Sequence, residues 1–284
     1  GLSMDNSYGM LALQKANLYI LQEIDRICTK YKINYTLDSG TLLGAIRHGG
    51  FIPWDDDADI AMTRANFEAF KKIVKRELSD KLEFIMPDDF QGGKVFYDFT
   101  PRIIYKPSSR YKKEDKKDPY EGKLNHLWVD IFIIDKLPRA RALKKFTLFI
   151  QKLVYLFSMG HRKKLDFKKY KGTMKIIILL FSIFGKIIPM KCLFGIQDRI
   201  SKLFYRGRKN NDCYYSNYQP DYIDIEVSKK WYEKYIRIQF EDTTLSIIDE
   251  YESVLQLVYG DYMTLPPKSE RVPTHGSTEI EVYE

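Results

Sequence analysis

The segment Gly40–Met62 reads GTLLGAIRHGGFIPWDDDADIAM and holds four aspartates within five positions, Asp55, Asp56, Asp57 and Asp59. Tryptophan precedes this run and isoleucine follows it, so the negative charge lies beside apolar surface. The alternation of polar and apolar residues predicts a strand, on which Asp57 and Asp59 share one face about 6–7 Å apart. Two carboxylates this close in an apolar setting repel each other, and a divalent cation relieves that repulsion.

A third aspartate lies in a similar setting, because Asp130 stands inside the apolar segment HLWVDIFIID, which is predicted to be a strand. Oxygen ligands of this kind suit Mg²⁺ or Mn²⁺, so we predict Asp57, Asp59 and Asp130 as metal ligands and catalytic residues. Three such carboxylates can hold two ions about 3.5–4 Å apart, which clamps a phosphoryl group. For Asp55 and Asp56 a second interpretation stays open, in which they cap or turn the loop.

The start of the same segment has the features of an anion site. Gly40 and Thr41 follow a predicted strand and begin a short helix, which two glycines close. The backbone N–H groups at a helix N-terminus favour anions, the Thr41 hydroxyl adds a donor, and Arg47 can pair with a phosphate. Such a site beside a carboxylate cluster is typical of phosphoryl transfer from a nucleotide.

Hydrophobic periodicity along the chain predicts an α/β (α+β) fold in which helices flank a mixed central sheet. Helices are predicted over residues 10–31, 41–48, 64–78 and 247–259, strands over 33–39, 57–62, 82–87, 96–106 and 126–135, and a hairpin over 235–247 with Asp242 and Thr243 at its turn. We predict a catalytic core over residues 8–138, a helical insert over 139–210, and a C-terminal part over 211–284 that completes the core.

The insert differs from the rest of the chain in charge. Residues 139–191 hold 14 Lys and Arg against a single acid, a net charge of +13, whereas the remainder has a net charge of −5. The insert also carries the apolar run IIILLFSIFG, which at about 10 residues is half the length of a membrane span. This combination indicates either a helix lying on an anionic membrane surface or a core helix with a solvated basic face.

Cysteine content and charge distribution limit the cellular compartment and the classes of partner that the sequence allows. Three widely spaced cysteines make neither a disulfide framework nor a metal cluster, and the N-terminus lacks a basic-then-apolar signal pattern. We therefore expect a cytoplasmic protein at the inner face of the plasma membrane. The overall basic charge could suggest a nucleic-acid-binding protein, but the charge excess is confined to the apolar insert rather than spread along a groove, so no nucleic-acid partner is expected.

The stretch GTLLGAIRHGGFIPWDDDADI and the tail YGDYMTLPPKSERVPTH, residues 259–275, closely resemble the LicD family, a branch of the nucleotidyltransferase superfamily that includes fukutin and the fukutin-related protein. The strand around Asp130 also fits this family. The resemblance covers about residues 10–275 and is weakest over the basic insert. In one departure, Thr41 stands where the wider superfamily more often has Gly or Ser.

The resemblance implies a nucleotidyltransferase-type fold and a two-metal site at Asp57, Asp59 and Asp130. It also implies transfer of a phosphorylated small group, phosphocholine foremost or else a polyol or glycerol phosphate, from a CDP-linked donor to a sugar hydroxyl. The acceptor would be a cell-surface glycan or its lipid-linked precursor, and CMP would leave. Gly40 and Thr41 would hold the donor phosphates, and Asp130 could take the proton of the attacking hydroxyl.

Several further residues keep two interpretations. Arg102 would contact the diphosphate or lie on the surface of an edge strand, and Trp128 would stack on the ligand or pack in the core. In the tail, Arg271 is predicted to bind a donor phosphate and His275 to reach the donor or the acceptor, whereas Tyr259 and Tyr262 would bind substrate or pack the tail. For the whole protein, the alternatives to a transferase are a nucleic-acid- or nucleotide-binding protein of the same fold and a catalytically inactive scaffold.

Overall fold

The computed structural model describes residues 6–110, 124–162, 165, 167–207, 209–273 and 280–283. Its helices are α1 Leu11–Tyr31, α2 Ser39–His48, α3 Arg64–Glu77, α4 Arg141–Ser158, α5 Thr173–Gly185, α6 Met190–Lys202 and α7 Tyr251–Tyr259. Its strands are β1 Thr36–Leu37, β2 Asp59–Thr63, β3 Leu82–Ile85, β4 Arg102–Tyr105, β5 Ser108–Ser109, β6 Leu127–Lys136, β7 Asp212–Tyr215, β8 Glu226–Ser228, β9 Tyr235–Phe240, β10 Thr243–Ile248 and β11 Glu281–Val282.

The predicted mixed central sheet is confirmed. Seven strands form it, in the order β1-β2-β6-β4-β3, with β7 paired to the second half of β6 and β8 paired to β7. Only β2 and β6 run parallel, and their register places Asp59 directly beside Asp130. The long apolar strand β6 is buried along nearly all its length, as a central strand between helices should be.

Helix α2 and the loop after it bring the aspartates to the sheet. The helix ends at Gly49, which adopts the left-handed conformation common after a helix C-terminus. A Cβ at Gly44 would lie 2.4 Å from the carbonyl oxygen of Gly50, so only glycine lets the returning loop pass this close. The chain thereby folds back against α2 before entering β2.

Four sequence predictions of local structure are wrong in detail. The strand predicted over residues 96–106 is confined to β4, and the last helix begins at Tyr251 because the preceding isoleucines belong to β10. The hairpin turn consists of Glu241 and Asp242, since Thr243 already pairs with Phe240. Strands β7 and β8 were not predicted, because they are short and follow a polar stretch without clear alternation.

Helices α4–α6 lie within the predicted insert, residues 139–210. The division of the chain into three parts stays a prediction. Val154 and Met159 of this region pack with Ile178 and Leu193 and with Phe96 of the core, so the insert has a small apolar cluster of its own. Among the described residues no single helix has the length and apolarity to cross a membrane. The pair α5 and α6, bent by 109°, meets those two criteria only when taken together.

Candidate active site

A cavity of about 740 Å³ opens where β2 and β6 begin, between the sheet, α2, α7 and the segment after β7. Its wall joins two kinds of side chain, carboxylates and aromatic rings. The carboxylates are Asp38, Asp55, Asp57, Asp59, Asp98, Asp130 and Glu270, and the aromatic residues are Trp54, Phe132, Tyr215, Tyr218, Tyr222 and Tyr259. The three aspartates predicted as metal ligands thus line a single cavity.

Two routes bring these three aspartates together. Asp59 and Asp130 are side by side on parallel strands, which fixes their spacing through the sheet. Asp57 does not lie on the strand, contrary to the prediction, because β2 begins only at Asp59. It reaches the cavity from the loop, so the predicted proximity of the three aspartates is observed but the strand position predicted for Asp57 is wrong, and their role as metal ligands stays a prediction.

Asp55 also belongs to the cavity. Oxygen atoms of Asp55, Asp56 and Asp57 lie within 4.8 Å of one another, close enough to share a cation. Of these, Asp56 is buried away from the cavity, and its backbone carbonyl accepts a hydrogen bond from Asn17. The loop-shaping interpretation therefore suits Asp56, whereas Asp55 stands beside the predicted ligands.

Gly40 contributes space to this arrangement. A Cβ at Gly40 would stand 2.8 Å from Oδ2 of Asp55, so any larger residue would displace that carboxylate. The preceding residue, Ser39, holds a left-handed backbone with φ of 50° and donates to Asp38 at 3.0 Å. Its hydroxyl also lies 2.8 Å from the Tyr218 hydroxyl. A strained non-glycine residue held in place by such contacts is common at functional sites.

The carboxylates raise one another's pKa. Burial raises the pKa of Asp59 well above its usual range, and the charges of Asp57 and Asp130 raise it further. Burial and the neighbouring Asp57 do the same for Asp55, and burial raises the pKa of Asp38 to about 6. Without a cation, the cavity holds more negative charge than it can stabilise.

The donor set therefore fits a hard divalent cation. Asp55, Asp57, Asp59 and Asp130 offer only oxygen ligands, and no cysteine or histidine lines the described cavity wall. A bound cation would reverse the mutual repulsion that raises the pKa of Asp55 and Asp59. Asp130 retains one oxygen for this purpose, because its Oδ1 already accepts from Arg102 at 2.7 Å.

Arg102 is a buried partner of Asp130 and not a surface residue. Strand β4 lies between β6 and β3, so the edge-strand interpretation is wrong. The guanidinium sits 4.1 Å from the Tyr97 ring centre and 4.4 Å from that of Trp128, and also pairs with Asp98 at 3.6 Å. It is well placed to orient Asp130 at the cavity wall. Trp128 packs in the core, away from the cavity.

Thr41 and Arg47 make structural contacts that the sequence did not indicate. The Thr41 hydroxyl accepts a hydrogen bond from the Asp59 backbone N–H at 2.9 Å, and Thr41 is buried outside the cavity lining. Arg47 donates to the carbonyl of Tyr262 at 3.0 Å and so holds the tail onto α2. Ser39 and Gly40 line the cavity whereas Thr41 and Arg47 do not, and the contact of Thr41 and Arg47 with donor phosphates stays a prediction.

The tail closes one side of the cavity through Glu270 and Val272. Between them, Arg271 donates to the carbonyl of Pro266 at 3.0 Å, and its guanidinium lies 5.8 Å from the centre of the Trp54 ring. Arg271 thus stands at the rim, beside a residue of the cavity wall. His275 lies outside the described residues, so its contact with the donor stays a prediction.

The aromatic side of the cavity was missed by sequence reasoning. Tyr218 is central to it, with ring-centre distances of 4.1 Å to Phe132, 5.1 Å to Tyr215 and 5.5 Å to Tyr222. Tyr215 donates to Asp38 at 2.9 Å, which joins the aromatic and acidic walls. With 21 tyrosines in the chain, only the position of β7 distinguishes these from the others, and that strand was not predicted.

Comparison with known proteins agrees with this geometry. Residues 32–171 match the family described as LicD/FKTN/FKRP, nucleotidyltransferase domain. The chain is 30% identical over 270 residues to the lipopolysaccharide cholinephosphotransferase LicD of Haemophilus influenzae, a match that covers 91% of this chain and 92% of that protein. An uncharacterised protein of Rickettsia typhi is 42% identical over 55 residues, which covers 19% of this chain and 18% of that protein.

Two adjacent parallel strands of the mixed sheet present paired aspartates to one cavity. Together with the matched domain, this arrangement defines an enzyme with a nucleotidyltransferase domain. The extent of the match to the Haemophilus protein narrows this class further. The chain belongs to the LicD family.

Proposed function

We propose that this enzyme transfers phosphocholine from CDP-choline to a sugar hydroxyl of a cell-surface glycan or of its lipid-linked precursor, and releases CMP. The observation that carries the proposal is the single cavity with an acidic wall and an aromatic wall. The Haemophilus relative is a lipopolysaccharide cholinephosphotransferase, which supports the same substrate class. The free cysteines described in the structure fit a reducing compartment such as the cytoplasm.

Asp55, Asp57, Asp59 and Asp130 would hold Mg²⁺ or Mn²⁺, which neutralises the charge on the donor diphosphate when bound. The chain itself supplies the orientation of these ligands. Arg102 fixes one oxygen of Asp130, and the Thr41 hydroxyl fixes the backbone at Asp59. Gly40 leaves the space that Asp55 needs.

In the proposed transfer, the sugar oxygen attacks the phosphorus next to choline. A new P–O bond forms there, and the P–O bond to the bridging oxygen of the diphosphate breaks, so that CMP carries the bonding electrons away. The sugar hydroxyl would lose its proton to Asp130, whose one oxygen not paired with Arg102 has two lone pairs and would serve both the cation and this proton. The backbone N–H groups at the start of α2, around Ser39 and Gly40, would contact the phosphates.

Choline is the donor group that the second wall favours. A quaternary ammonium has no hydrogen-bond donors and is recognised by aromatic faces, which Phe132, Tyr218 and Tyr222 provide together. Asp38 lies behind this group, hydrogen-bonded to Tyr215, and adds negative charge near the cation.

A thermal-shift titration distinguishes the donors. With Mg²⁺ present, CDP-choline is expected to raise Tm more than CDP-ribitol or CDP-glycerol does. At equal concentration, the ligand that binds more tightly stabilises the folded protein more. Tyr218→Leu should remove the advantage of CDP-choline and leave the shift with CDP-glycerol. Equal shifts with all three donors would refute choline recognition, and no shift with any of them would contradict the proposed function.

The cavity also argues against the nucleic-acid-binding alternative. Its seven carboxylates would repel a phosphate backbone that spans many nucleotides, whereas one cation-bound diphosphate can be accommodated. The basic residues of the insert do not line this cavity.

A further inference from the structure

The outer face of α5 is apolar along its whole length. Six large apolar side chains recur at the spacing i, i+3, i+4, i+7, i+8 and i+11, and each is between 45% and 76% exposed. They are Ile176, Leu179, Leu180, Ile183 and Phe184 on α5 and Ile187 just after its end, which we call the α5 face. A helix that faces water normally shows polar residues on its outer side, so the polarity of the outer side of α5 is the opposite of the usual pattern.

The inner face of the same helix carries small residues. Ser182 and Gly185 are buried there, and a Cβ at Gly185 would lie 1.8 Å from the carbonyl oxygen of Phe157 on α4. Gly160 packs just as closely against the backbone of Ser182, where a Cβ would meet the carbonyl oxygen at 2.2 Å. Small residues inside and large apolar residues outside fix α5 to α4 while directing its apolar surface outward.

Basic residues lie next to the α5 face in sequence. Lys171, Lys175, Lys186 and Lys191 are exposed and flank the helix in sequence at both ends. We propose that the α5 face docks on an anionic lipid bilayer, with these lysines at the headgroups and the apolar side chains below them. A second copy of the chain is a poorer occupant, because it would bring two segments of net charge +13 together.

Surface attachment fits the geometry better than a membrane span. Helix α5 has 13 residues, a length of about 20 Å, against a hydrocarbon thickness of about 30 Å. Helix α6 cannot complete a span, because Gln197 donates to the carbonyl of Ser216 and Ser201 accepts from Gln151 of α4, which fixes it to the protein body. The anionic inner leaflet of the plasma membrane would then present lipid-linked acceptors to the enzyme, a point that rests on the proposed function.

Co-sedimentation of the full chain with vesicles tests the docking, without donor or metal, so the result does not depend on the transfer reaction. Binding is expected to vesicles of phosphatidylcholine with phosphatidylglycerol, and to weaken with salt and with pure phosphatidylcholine. Each lysine near the surface contributes about a fivefold gain in partitioning, so Lys171→Glu with Lys175→Glu should lower it by at least about 25-fold. Leu179→Gln with Ile183→Gln should also lower it, at unchanged Tm.

Matched controls separate docking from general stickiness. Lys72→Glu with Lys75→Glu on α3, and Leu257→Gln on α7, alter exposed residues outside the α5 face and should leave partitioning within twofold of the unaltered chain. The proposal is overturned if the unaltered chain sediments with no vesicle, if the controls reduce binding equally, or if binding ignores lipid charge. It is also overturned if sedimentation velocity shows a dimer that Leu179→Gln with Ile183→Gln dissociates.

Discussion

The acidic cavity and the α4–α6 region arrange the same kinds of side chain in opposite ways. In the cavity, seven carboxylates converge and apolar residues lie behind them. Around α5, both the basic residues and the large apolar side chains are exposed. The net charge of +8 describes neither region, so total charge is a poor guide to the partner of either surface.

One aspartate joins the two regions. Asp98 lines the cavity and pairs with Arg102, while its other oxygen accepts hydrogen bonds from Arg162 and from Tyr155 of α4. Burial raises the pKa of Asp98, although the charges of Arg162 and Arg102 oppose that rise. The cavity wall therefore has a direct polar connection to the helices of the insert.

The largest effect is expected from Asp57→Asn, which removes one charged ligand from the cavity. Metal-dependent transfer should fall by about a thousandfold or more, because a catalytic cation contributes several kcal/mol to transition-state stability. Thermal stability should not fall. Asp80→Asn is the control, since Asp80 is exposed and outside the cavity. Activity within tenfold of the unaltered enzyme would show that Asp57 does not hold the metal.

Arg102→Met should destabilise the fold by about 3–5 kcal/mol, measured by urea unfolding, because it leaves the Asp130 and Asp98 charges without their buried partner. Arg64→Met is matched to it, since Arg64 is equally buried and pairs with Asp135 at 2.6 Å outside the cavity. Both variants should lose stability, but only Arg102→Met should also weaken Mg²⁺ binding. Equal Mg²⁺ affinity in the two would contradict the orienting role of Arg102.

Gly40→Ala tests the space reserved for Asp55. The added Cβ would displace the carboxylate, and a misplacement of about 1 Å costs about a hundredfold in turnover. Gly195→Ala on α6 meets nothing within 4 Å and should leave turnover unchanged. Steady-state kinetics with each variant provides the comparison. Normal turnover in Gly40→Ala would mean that Asp55 is not needed in its present position.

Mg²⁺ affinity should fall as the pH is lowered. The raised pKa values of Asp55 and Asp59 mean that the metal-free cavity retains protons, which a cation must displace. Loss of about one proton per ion corresponds to about a tenfold change in affinity per pH unit. Calorimetric titrations of Mg²⁺ between pH 6 and 8 would detect proton release, and a pH-independent affinity would argue against these ligands.

The metal-free fold should lose stability as the pH rises through the pKa of Asp38, about 6, because burial favours the neutral form of this carboxyl.

The smallest effect is expected when the affinity for the donor is measured in the variant Lys171→Glu with Lys175→Glu. These lysines do not line the cavity, so affinity for CDP-choline in solution should stay within twofold. Calorimetry without vesicles measures this directly. A larger change would show that the two surfaces are not separate in function.

The paired aspartates were predictable because strand alternation and apolar flanks are local properties of the sequence. Asp59 and Asp130 needed only the correct strands, since the similar apolar setting of both aspartates already grouped them and the family resemblance implied the same set. The contacts of Thr41 and Arg47 were not predictable, because both depend on segments distant in sequence, β2 and the tail. The same holds for Tyr218, which reaches the cavity through a short strand without a clear pattern.

The most direct test of the account is to follow both products of one reaction. With CDP-choline labelled in the choline methyl groups, Mg²⁺ and a lipid-linked glycan acceptor, the enzyme should form one labelled glycan for each CMP released. Asp57→Asn should form neither product. Release of pyrophosphate or attachment of the nucleotide to the acceptor would contradict the account, as would unchanged transfer after removal of the metal with a chelator.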